Sequence, residues 1–253
     1  MKLLPNLSIP IREQGQRSNN EDYMIHGDLP ENKGSFFAVC DGVGGANKGE
    51  VASELTCQSI KEFLQKEIPE TYDQHYIDRM IDFVENEFDN YIDSHSEAQG
   101  MATTMALLIL DADKAIIAHI GDSRVYHIRY NKILFKTQDH SLVNMFVKNG
   151  EITEEEALTH PQRNVIMRAI QGKNKPTKAD VKIIENKEIE KLDYFFLCSD
   201  GILETITDSI LLQILCEEWD NIKKMNFIKE KCTEFSRDNY SAYLVQIIKN
   251  VVI

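Results

Sequence analysis

The chain has 253 residues, a formal net charge of −13 and 42% hydrophobic residues, the balance of an ordinary soluble globular protein. This acidic excess leaves no basic footprint of the kind that non-specific nucleic-acid binding requires, so a nucleic-acid partner is excluded. The five cysteines include no C-x-x-C pair, which argues against a thiol metal site and a disulfide framework.

No stretch of the sequence is long and apolar enough for a transmembrane helix, and the N-terminal segment is too short for a signal-peptide apolar region. Together with the cysteine pattern, this predicts a cytoplasmic protein with no membrane partner. No repeat, linker or low-complexity tract divides the chain, so we expect one domain over residues 1–253.

The N-terminal part predicts strands first and helices second. Residues 7–17 are typical of an edge strand, because a proline at position 10 cannot donate to a sheet ladder. A polar turn over 15–22 and an apolar strand over 36–40 follow. Apolar residues at helical spacing then predict two amphipathic helices, over 50–68 and 74–93.

After Gly100 the pattern changes to short strands joined by turn residues. The predicted strands are 104–110, 115–120, 124–129 and 133–136, with hairpin turns at 111–113 and 130–132. A polar segment with short helical pieces over 139–172 comes next, and its Thr153–Glu156 stretch matches a capping box. The remaining elements are strands over 181–184, 194–198 and 242–248 and helices near 207–218 and 220–235. This order indicates an α+β protein with antiparallel sheets and outer helices.

Acidic residues stand where apolar strands stop. The run Phe36–Cys40 ends on Asp41 and is followed by a glycine-dense turn, Gly42–Gly45, in which backbone groups can approach a ligand closely. A second apolar strand ends at Asp200-Gly201. Further acids beside turn or small polar residues are Glu21, Asp22, Asp122 and Asp238.

These carboxylates suggest a site for divalent metal ions. Mg²⁺ and Mn²⁺ prefer shells of oxygen ligands, and two such ions about 3.5–4 Å apart can drive phosphate-ester hydrolysis. Asp41 suits the bridging position, and Glu21, Asp200 and Asp238 suit terminal positions. Each acid taken singly could instead be a turn former or a helix N-cap. The pair of apolar strands that both end in Asp-Gly favours the metal site.

The surrounding motifs carry a resemblance that covers about residues 12–248. The motifs, in chain order, are Gly15-x-Arg17-x-x-Asn20-Glu21-Asp22, Asp41-Gly42-Val43-Gly44-Gly45, Gly121-Asp122-Ser123-Arg124, Thr137-x-Asp139-His140-Ser141, His160-Pro161-x-Arg163-Asn164-Val165, Ser199-Asp200-Gly201 and Asp238-Asn239-x-Ser241. The set resembles that of the metal-dependent type 2C serine/threonine protein phosphatases (PPM), particularly their bacterial branch.

This resemblance implies a fold and a set of ligands. The implied fold is a central β-sandwich of two antiparallel sheets flanked by helices on both outer faces. Asp41 would bridge two metals, Glu21 would hold the second, and Asp122 with Asp200 would bind a weaker third. The full implied set of metal ligands is Glu21, Asp41, Gly42 through its carbonyl, Asp122, Asp200 and Asp238. The cofactors would be two or three Mn²⁺ or Mg²⁺ ions.

Three more residues receive roles by the same resemblance. Arg17 matches the arginine that grips the substrate phosphate, and a planar guanidinium suits bidentate phosphate contact. Asp22 would orient the ligands as a nearby carboxylate, and Asn239 stands beside Asp238 as a supporting residue.

Two positions depart from the family pattern. Val43 stands where some members carry a histidine proposed to protonate the leaving group. His140 and His160 are substitutes on chemical grounds, with local turn hydrogen bonds as the alternative for both. Ser236-Arg237 precedes Asp238 where a small residue or glycine is more usual.

The sequence therefore predicts a monomeric serine/threonine phosphoprotein phosphatase that acts on targets of a serine/threonine kinase. A hydroxide bridging the metals would attack phosphorus directly, without a phospho-enzyme intermediate. The segment 141–172 would be a flap beside the active site, with a plain connector as the alternative. A catalytically silent binding module on the same fold and a phosphatase for small-molecule phosphates remain open.

Overall fold

The computed structural model of the chain describes residues 3–7, 9–43 and 48–249. In the described residues the strands are β1 Leu3–Leu7, β2 Ile11–Glu13, β3 Asp22–Asp28, β4 Gly34–Asp41, β5 Met105–Asp111, β6 Lys114–Ile120, β7 Arg124–Arg129, β8 Lys132–Lys136, β9 Asp180–Glu185, β10 Tyr194–Cys198 and β11 Tyr240–Lys249. The α-helices are α1 Gly49–Lys66, α2 Gln74–Ser94, α3 Leu142–Lys148, α4 Glu154–Thr159, α5 Asp200–Leu203, α6 Asp208–Cys216 and α7 Asn221–Phe235. Short 3₁₀ turns lie at Pro30–Asn32, Ser96–Ala98 and Asn186–Glu188.

The strands form two antiparallel sheets. One has the order β1-β11-β10-β7-β8, with β2 also paired to β11, and the other has the order β3-β4-β5-β6-β9. The facing sides of the two sheets bury a common apolar layer that includes Phe37, Leu108, Phe195 and Val245. Burial of each such side chain contributes about 1.5–3 kcal/mol.

Helices cover both outer faces of this sandwich. α1 and α2 pack on the β3–β6 sheet through a layer that includes Phe36 and Ile60. The helices α5, α6 and α7 cover the other sheet through residues such as Phe196 and Ile228. The predicted α+β sandwich with helices on both sides is confirmed.

Strand β4 shows why its sequence is a continuous apolar run. Side chains alternate between the two faces of a strand, and both faces of this strand are covered. Phe36, Ala38 and Cys40 face the helices, and Phe37 and Val39 face the opposite sheet. A strand buried on both sides cannot alternate polar and apolar residues.

Most predicted elements agree with the observed ones to within a few residues. The hairpin turns at 111–113 and 130–132 are confirmed. The capping box of α4 is also confirmed, since the Thr153 hydroxyl accepts from the Glu156 N–H and the Glu156 carboxylate accepts from the Thr153 N–H.

Two predictions for the N-terminal part are wrong. The edge strand over 7–17 is instead two short strands, β1 and β2, which pair with opposite parts of β11. β3 was not predicted, because its sequence Asp22–Asp28 mixes polar and apolar residues. Pairing of all seven residues with β4 and packing under α1 decide that it is a strand. The glycine turn after Val43 lies outside the described residues from Gly44 onward.

None of the described helices is both long enough and apolar enough to cross a membrane. The segment predicted as a flap contains α3 and α4, which contact each other. It is joined to the rest through isolated bridges of Ser141 with Ile166 and of Thr103 with Ile170.

Candidate metal centre

The predicted ligands lie at strand ends that meet at one end of the sandwich. β4 ends at Asp41, which pairs with Asp22 at the start of β3. In the other sheet, Cys198 at the end of β10 pairs with Arg124 at the start of β7 and with Ala242 near the start of β11. The acids Asp122, Asp200 and Asp238 stand just outside these three strand ends.

Asp41 is held by its backbone. Its N–H donates to the Thr104 hydroxyl at 3.0 Å, and its carbonyl accepts from the Thr104 N–H and the Thr103 hydroxyl, both at 2.8 Å. The Thr104 hydroxyl also lies 2.6 Å from the Ser123 hydroxyl. These contacts leave the Asp41 carboxylate free to face the other acids.

Glu21 and Asp22 are fixed by the opposite sheet. The Glu21 N–H donates to the Asn239 side-chain oxygen at 2.8 Å, and the Gly42 N–H donates to the Glu21 carbonyl at 3.0 Å. Asp22 is 1% exposed, and its Oδ2 accepts from the Ser199 hydroxyl at 2.7 Å. Two segments more than 170 residues apart in sequence therefore meet at these carboxylates.

Asn239 ties the Arg17 loop to the same end. Its side-chain amide donates to the carbonyls of Gln14 and Asn19 at 2.7 and 2.8 Å. Gly15 has a φ of +61°, and a Cβ there would lie 2.1 Å from the Asp238 carbonyl oxygen. Only glycine permits this close approach.

Arg17 already contacts one of the acids. Its Nη2 donates to Asp238 Oδ2 at 2.6 Å, and its side chain is 51% exposed. Burial works in the other direction, but this hydrogen bond and the charge of Asp238 raise the pKa of Arg17. A half-exposed guanidinium beside the acid cluster can reach an anionic ligand.

The carboxyl groups raise one another's pKa values. Burial, with the charges of Asp22, Asp200 and Asp122, raises the pKa of Asp41 well above its usual range. Burial raises the pKa of Asp22 to about 7, and burial with the charge of Asp238 raises the pKa of Asp200 to about 6. The Asp41 and Asp200 carboxyl groups lie within hydrogen-bonding contact of each other.

Burial, followed by the charge of Asp200, also raises the pKa of Asp122. The pKa of Glu21 is raised by burial and by Glu50. Burying charged carboxylates without positive partners is unfavourable, so this end of the molecule lacks compensating charge.

The donor set fits hard divalent cations. Buried oxygens of Asp22, Asp122 and Asp200, the Oδ1 atom in each case, have no hydrogen-bond partner among the described residues. Such orphaned oxygens call for an unmodelled partner, and a cluster made only of carboxylate and carbonyl oxygens matches Mg²⁺ or Mn²⁺.

The two histidines considered as proton donors have local partners. The His160 Nδ1 accepts from the Gln162 N–H at 3.1 Å, and its ring packs against Phe146. The His140 Nδ1 accepts from the Gly121 N–H at 3.1 Å, and its Nε2 lies 3.2 Å from Asp180 Oδ2. Ser236, one of the departing residues, donates to the Gly201 carbonyl at 2.9 Å.

Several residues that shape the site were not singled out from the sequence. Thr104 and Ser199 bond Asp41 and Asp22 across long sequence separations, and no local pattern marks them. Arg124 forms a bidentate ion pair with Asp139 at 2.7 and 2.6 Å. Both residues lie inside quoted motifs, so their charges offered a signal that was not used.

A buried two-sheet sandwich with an acid cluster at one end defines a metal-dependent hydrolase of the phosphatase class. The model of the family described as protein phosphatase 2C matches residues 13–235. The chain belongs to this family.

Relatives agree over most of their length. The chain is 30% identical over 249 residues to "Serine/threonine phosphatase stp" of Listeria welshimeri, covering 91% of each protein. It is 32% identical over 215 residues to "Protein phosphatase PhpP" of Streptococcus pneumoniae, covering 82% of this chain and 83% of that protein. The solved structure of serine/threonine phosphatase Stp1 from Staphylococcus aureus superposes with a TM-score of 0.86 at 29% identity, covering 99% and 98% of the two chains.

Proposed function

We propose that this chain is a bacterial, metal-dependent phosphatase that hydrolyses phosphoserine and phosphothreonine in proteins. The observation that carries the proposal is the cluster of Asp22, Asp41, Asp122 and Asp200, whose pKa values are all raised and whose orphaned oxygens await a cation. The family and the relatives named above give the reaction its class.

Within this proposal the residues divide into ligands and supports. Asp41 bridges two Mn²⁺ or Mg²⁺ ions, and Asp122 with Asp200 holds a weaker third. The complete ligand set is Glu21, Asp41, the Gly42 carbonyl, Asp122, Asp200 and Asp238. When bound, these ions neutralise phosphate charge and make water nucleophilic at neutral pH. Asp22 and Asn239 hold the ligands through the contacts with Ser199 and Glu21.

Arg17 binds the substrate phosphate. Its guanidinium is half exposed and lies beside the acid cluster, and its pair with Asp238 fixes its direction. A planar fork of donors can hold two phosphate oxygens at once and orient the phosphorus for in-line attack.

The remaining proposals concern the cellular setting. We infer a cytoplasmic signalling enzyme, because all five cysteines are free and four are buried. The substrates are phosphoproteins made by a serine/threonine kinase. The enzyme acts as a monomeric single domain, in which residues 141–172 form a flap that influences substrate choice.

A metal series tests the function. Turnover of para-nitrophenyl phosphate and of phosphothreonine and phosphotyrosine peptides is measured with Mn²⁺, with Mg²⁺ and with chelator. We expect turnover of the phosphothreonine peptide only with metal and little turnover of the phosphotyrosine peptide. A silent binding module would bind Mn²⁺ weakly in calorimetry and turn over none of the three. A phosphatase for small molecules would hydrolyse para-nitrophenyl phosphate but neither peptide.

A further inference from the structure

The loop that carries Asp122 needs external support. It follows β6 and turns at Gly121, which has a φ of +96°. Asp122 is 7% exposed, and its Oδ1 has no hydrogen-bond partner among the described residues. The charges of Asp200 and Asp139 oppose its own charge. Repulsion would move this carboxylate outward unless its backbone were fixed.

His140 contacts the loop at two points. Its backbone N–H donates to the Gly121 carbonyl at 2.9 Å, and its ring Nδ1 accepts from the Gly121 N–H at 3.1 Å. Both polar groups of one peptide residue are therefore satisfied by a single histidine. On the far side, Ser123 is held by the Thr104 hydroxyl at 2.6 Å.

These contacts settle the tautomer of the ring. A backbone N–H can only donate, so the His140 Nδ1 carries a lone pair and the proton of the neutral ring sits on Nε2. That N–H donates to Asp180 Oδ2 at 3.2 Å. Burial and the neighbouring His119 lower the pKa of His140, which keeps the ring neutral and its Nδ1 an acceptor.

The tautomer also decides between two interpretations of this cluster. Donor atoms of His119, His140 and Asp180 lie within 4.8 Å of one another, a grouping that could hold a metal ion. A metal on the His140 Nε2 would require a proton on Nδ1, where it would oppose the Gly121 N–H. The arrangement is therefore a hydrogen-bond relay and not a second metal site.

The relay is anchored by the flap segment. Asp180 Oδ1 accepts from Arg168 Nη1 at 2.6 Å, and the Met167 N–H donates to the His140 carbonyl at 2.7 Å. His119 stacks on the His140 ring with centroids 4.6 Å apart, and its own Nε2 lies 2.9 Å from the Gln138 carbonyl. The ring is held on its face and on both of its nitrogens.

We propose that His140 is a positioning residue that holds Gly121, and through it Asp122, in the geometry needed to bind the weak metal ion, with Asp180 and Arg168 fixing the ring. The inference rests on the proposed function, because it takes Asp122 as a ligand. It adds a connection from the flap segment to that ligand, through side chains that do not touch the metal themselves.

Two isosteric variants separate the contacts of the ring. In His140→Asn the amide oxygen can replace Nδ1 and still accept from Gly121. In His140→Gln the amide reaches the Nε2 position toward Asp180 and leaves Gly121 without its acceptor. His160→Gln is the matched control, because that ring only makes a local turn contact.

The measurements are Mn²⁺ binding isotherms by calorimetry and hydrogen exchange of the Gly121 amide in the metal-free protein. We expect His140→Gln to weaken the low-affinity Mn²⁺ site by about 10–100-fold, the usual effect of removing a residue that orients a ligand, and to speed exchange at Gly121. We expect His140→Asn and His160→Gln to stay within about threefold of the wild type in Mn²⁺ affinity. The turnover lost in His140→Gln should return at higher Mn²⁺ concentration, a rescue that general misfolding would not allow.

The failures are distinguishable. If His140→Gln leaves the weak site and the Gly121 exchange rate unchanged, the positioning role is wrong although the phosphatase assignment stands. If Asp122→Asn leaves the weak site intact, the inference is also overturned. If His140→Asn loses as much affinity as His140→Gln, the Nδ1 contact is not the cause and the inference fails. Absence of any metal-dependent turnover in the wild type would instead contradict the proposed function.

Discussion

The two ends of strand β10 carry buried carboxylates in opposite electrostatic settings. Asp193 precedes this five-residue strand and Asp200 follows it, about 17 Å away. At the Asp193 end the protein provides cations of its own. At the Asp200 end it gathers further acids instead.

Asp193 is fully buried and fully paired. The His127 Nε2 lies 2.8 Å from its Oδ2, and Arg129 donates to both oxygens at 2.8 and 2.9 Å. The Glu190 N–H adds a further bond at 2.9 Å. Burial opposes ionisation, but these contacts lower the pKa of Asp193 to about 2.

The acids around Asp200 have no such partners. Among the described residues, no lysine or arginine forms an ion pair with Asp22, Asp41, Asp122 or Asp200, and Arg17 pairs only with Asp238. Their pKa values are raised, whereas that of Asp193 is lowered. The comparison teaches that one end of the strand is complete as folded and that the other needs cations from solution.

The largest effect is expected from removing the central carboxylate of the open end. Asp41→Asn should lower kcat by at least about 10²–10³-fold, the size of losing one preorganised electrostatic contact, because the amide cannot bridge two cations. Assays with para-nitrophenyl phosphate and a phosphothreonine peptide measure this.

Asp113→Asn is the matched control, since it changes an exposed aspartate in the β5–β6 turn at the other end of the same sheet. Near-normal turnover of Asp41→Asn, with folding intact by circular dichroism, would contradict the bridging role.

The closed end should respond in stability and not in metal binding. Asp193→Ala leaves Arg129 and His127 without their buried partner and should lower the free energy of unfolding by about 3–5 kcal/mol. Urea denaturation measures the loss, and Mn²⁺ calorimetry on the folded variant should give the wild-type stoichiometry. A change in the number of bound Mn²⁺ ions would show that the two ends are not independent.

The two ends should also differ in pH dependence. The raised pKa values of Asp22, about 7, and Asp200, about 6, mean that their contribution to stability is fully present below their unfolded values and is lost as pH rises through 6–7. The lowered pKa of Asp193 gives a contribution that is present above its unfolded value and is lost only as pH falls through about 2.

Between pH 5 and 8 only the open end changes through these carboxyls, so the metal-free protein should melt a few degrees higher at pH 5 than at pH 8. Scanning calorimetry with chelator checks this, and excess Mn²⁺ should stabilise the pH 8 sample more, because bound carboxylates must be ionised. A metal-free protein that is more stable at pH 8 would count against an uncompensated acid cluster.

The smallest expected effect concerns the one cation at the open end. Arg17→Ala should raise KM about tenfold with a smaller change in kcat, because the charge-assisted contacts to substrate phosphate are lost. Arg17→Lys keeps the charge without the planar fork and should fall between the two. An unchanged KM in the alanine variant would exclude phosphate binding by this residue.

Local patterns were sufficient for much of this protein. The helical spacing over 50–68 and 74–93, the hairpin turns and the capping box of α4 depend on neighbours within a few residues, and each is found near its predicted position. The acids were recognisable because Asp41 and Asp200 interrupt apolar strands at their ends. The motif order then indicated the family.

Tertiary structure decided what depends on distant partners. β3 is a strand because β4 and α1 cover it, although its own residues show no clear alternation. Ser199 reaches Asp22, and His140 reaches Gly121, across 177 and 19 positions. A hydrogen bond between remote residues leaves no periodic trace in either segment. The sequence therefore determined which residues could carry the chemistry, and only the pairing of the two sheets decided which atoms hold them in place.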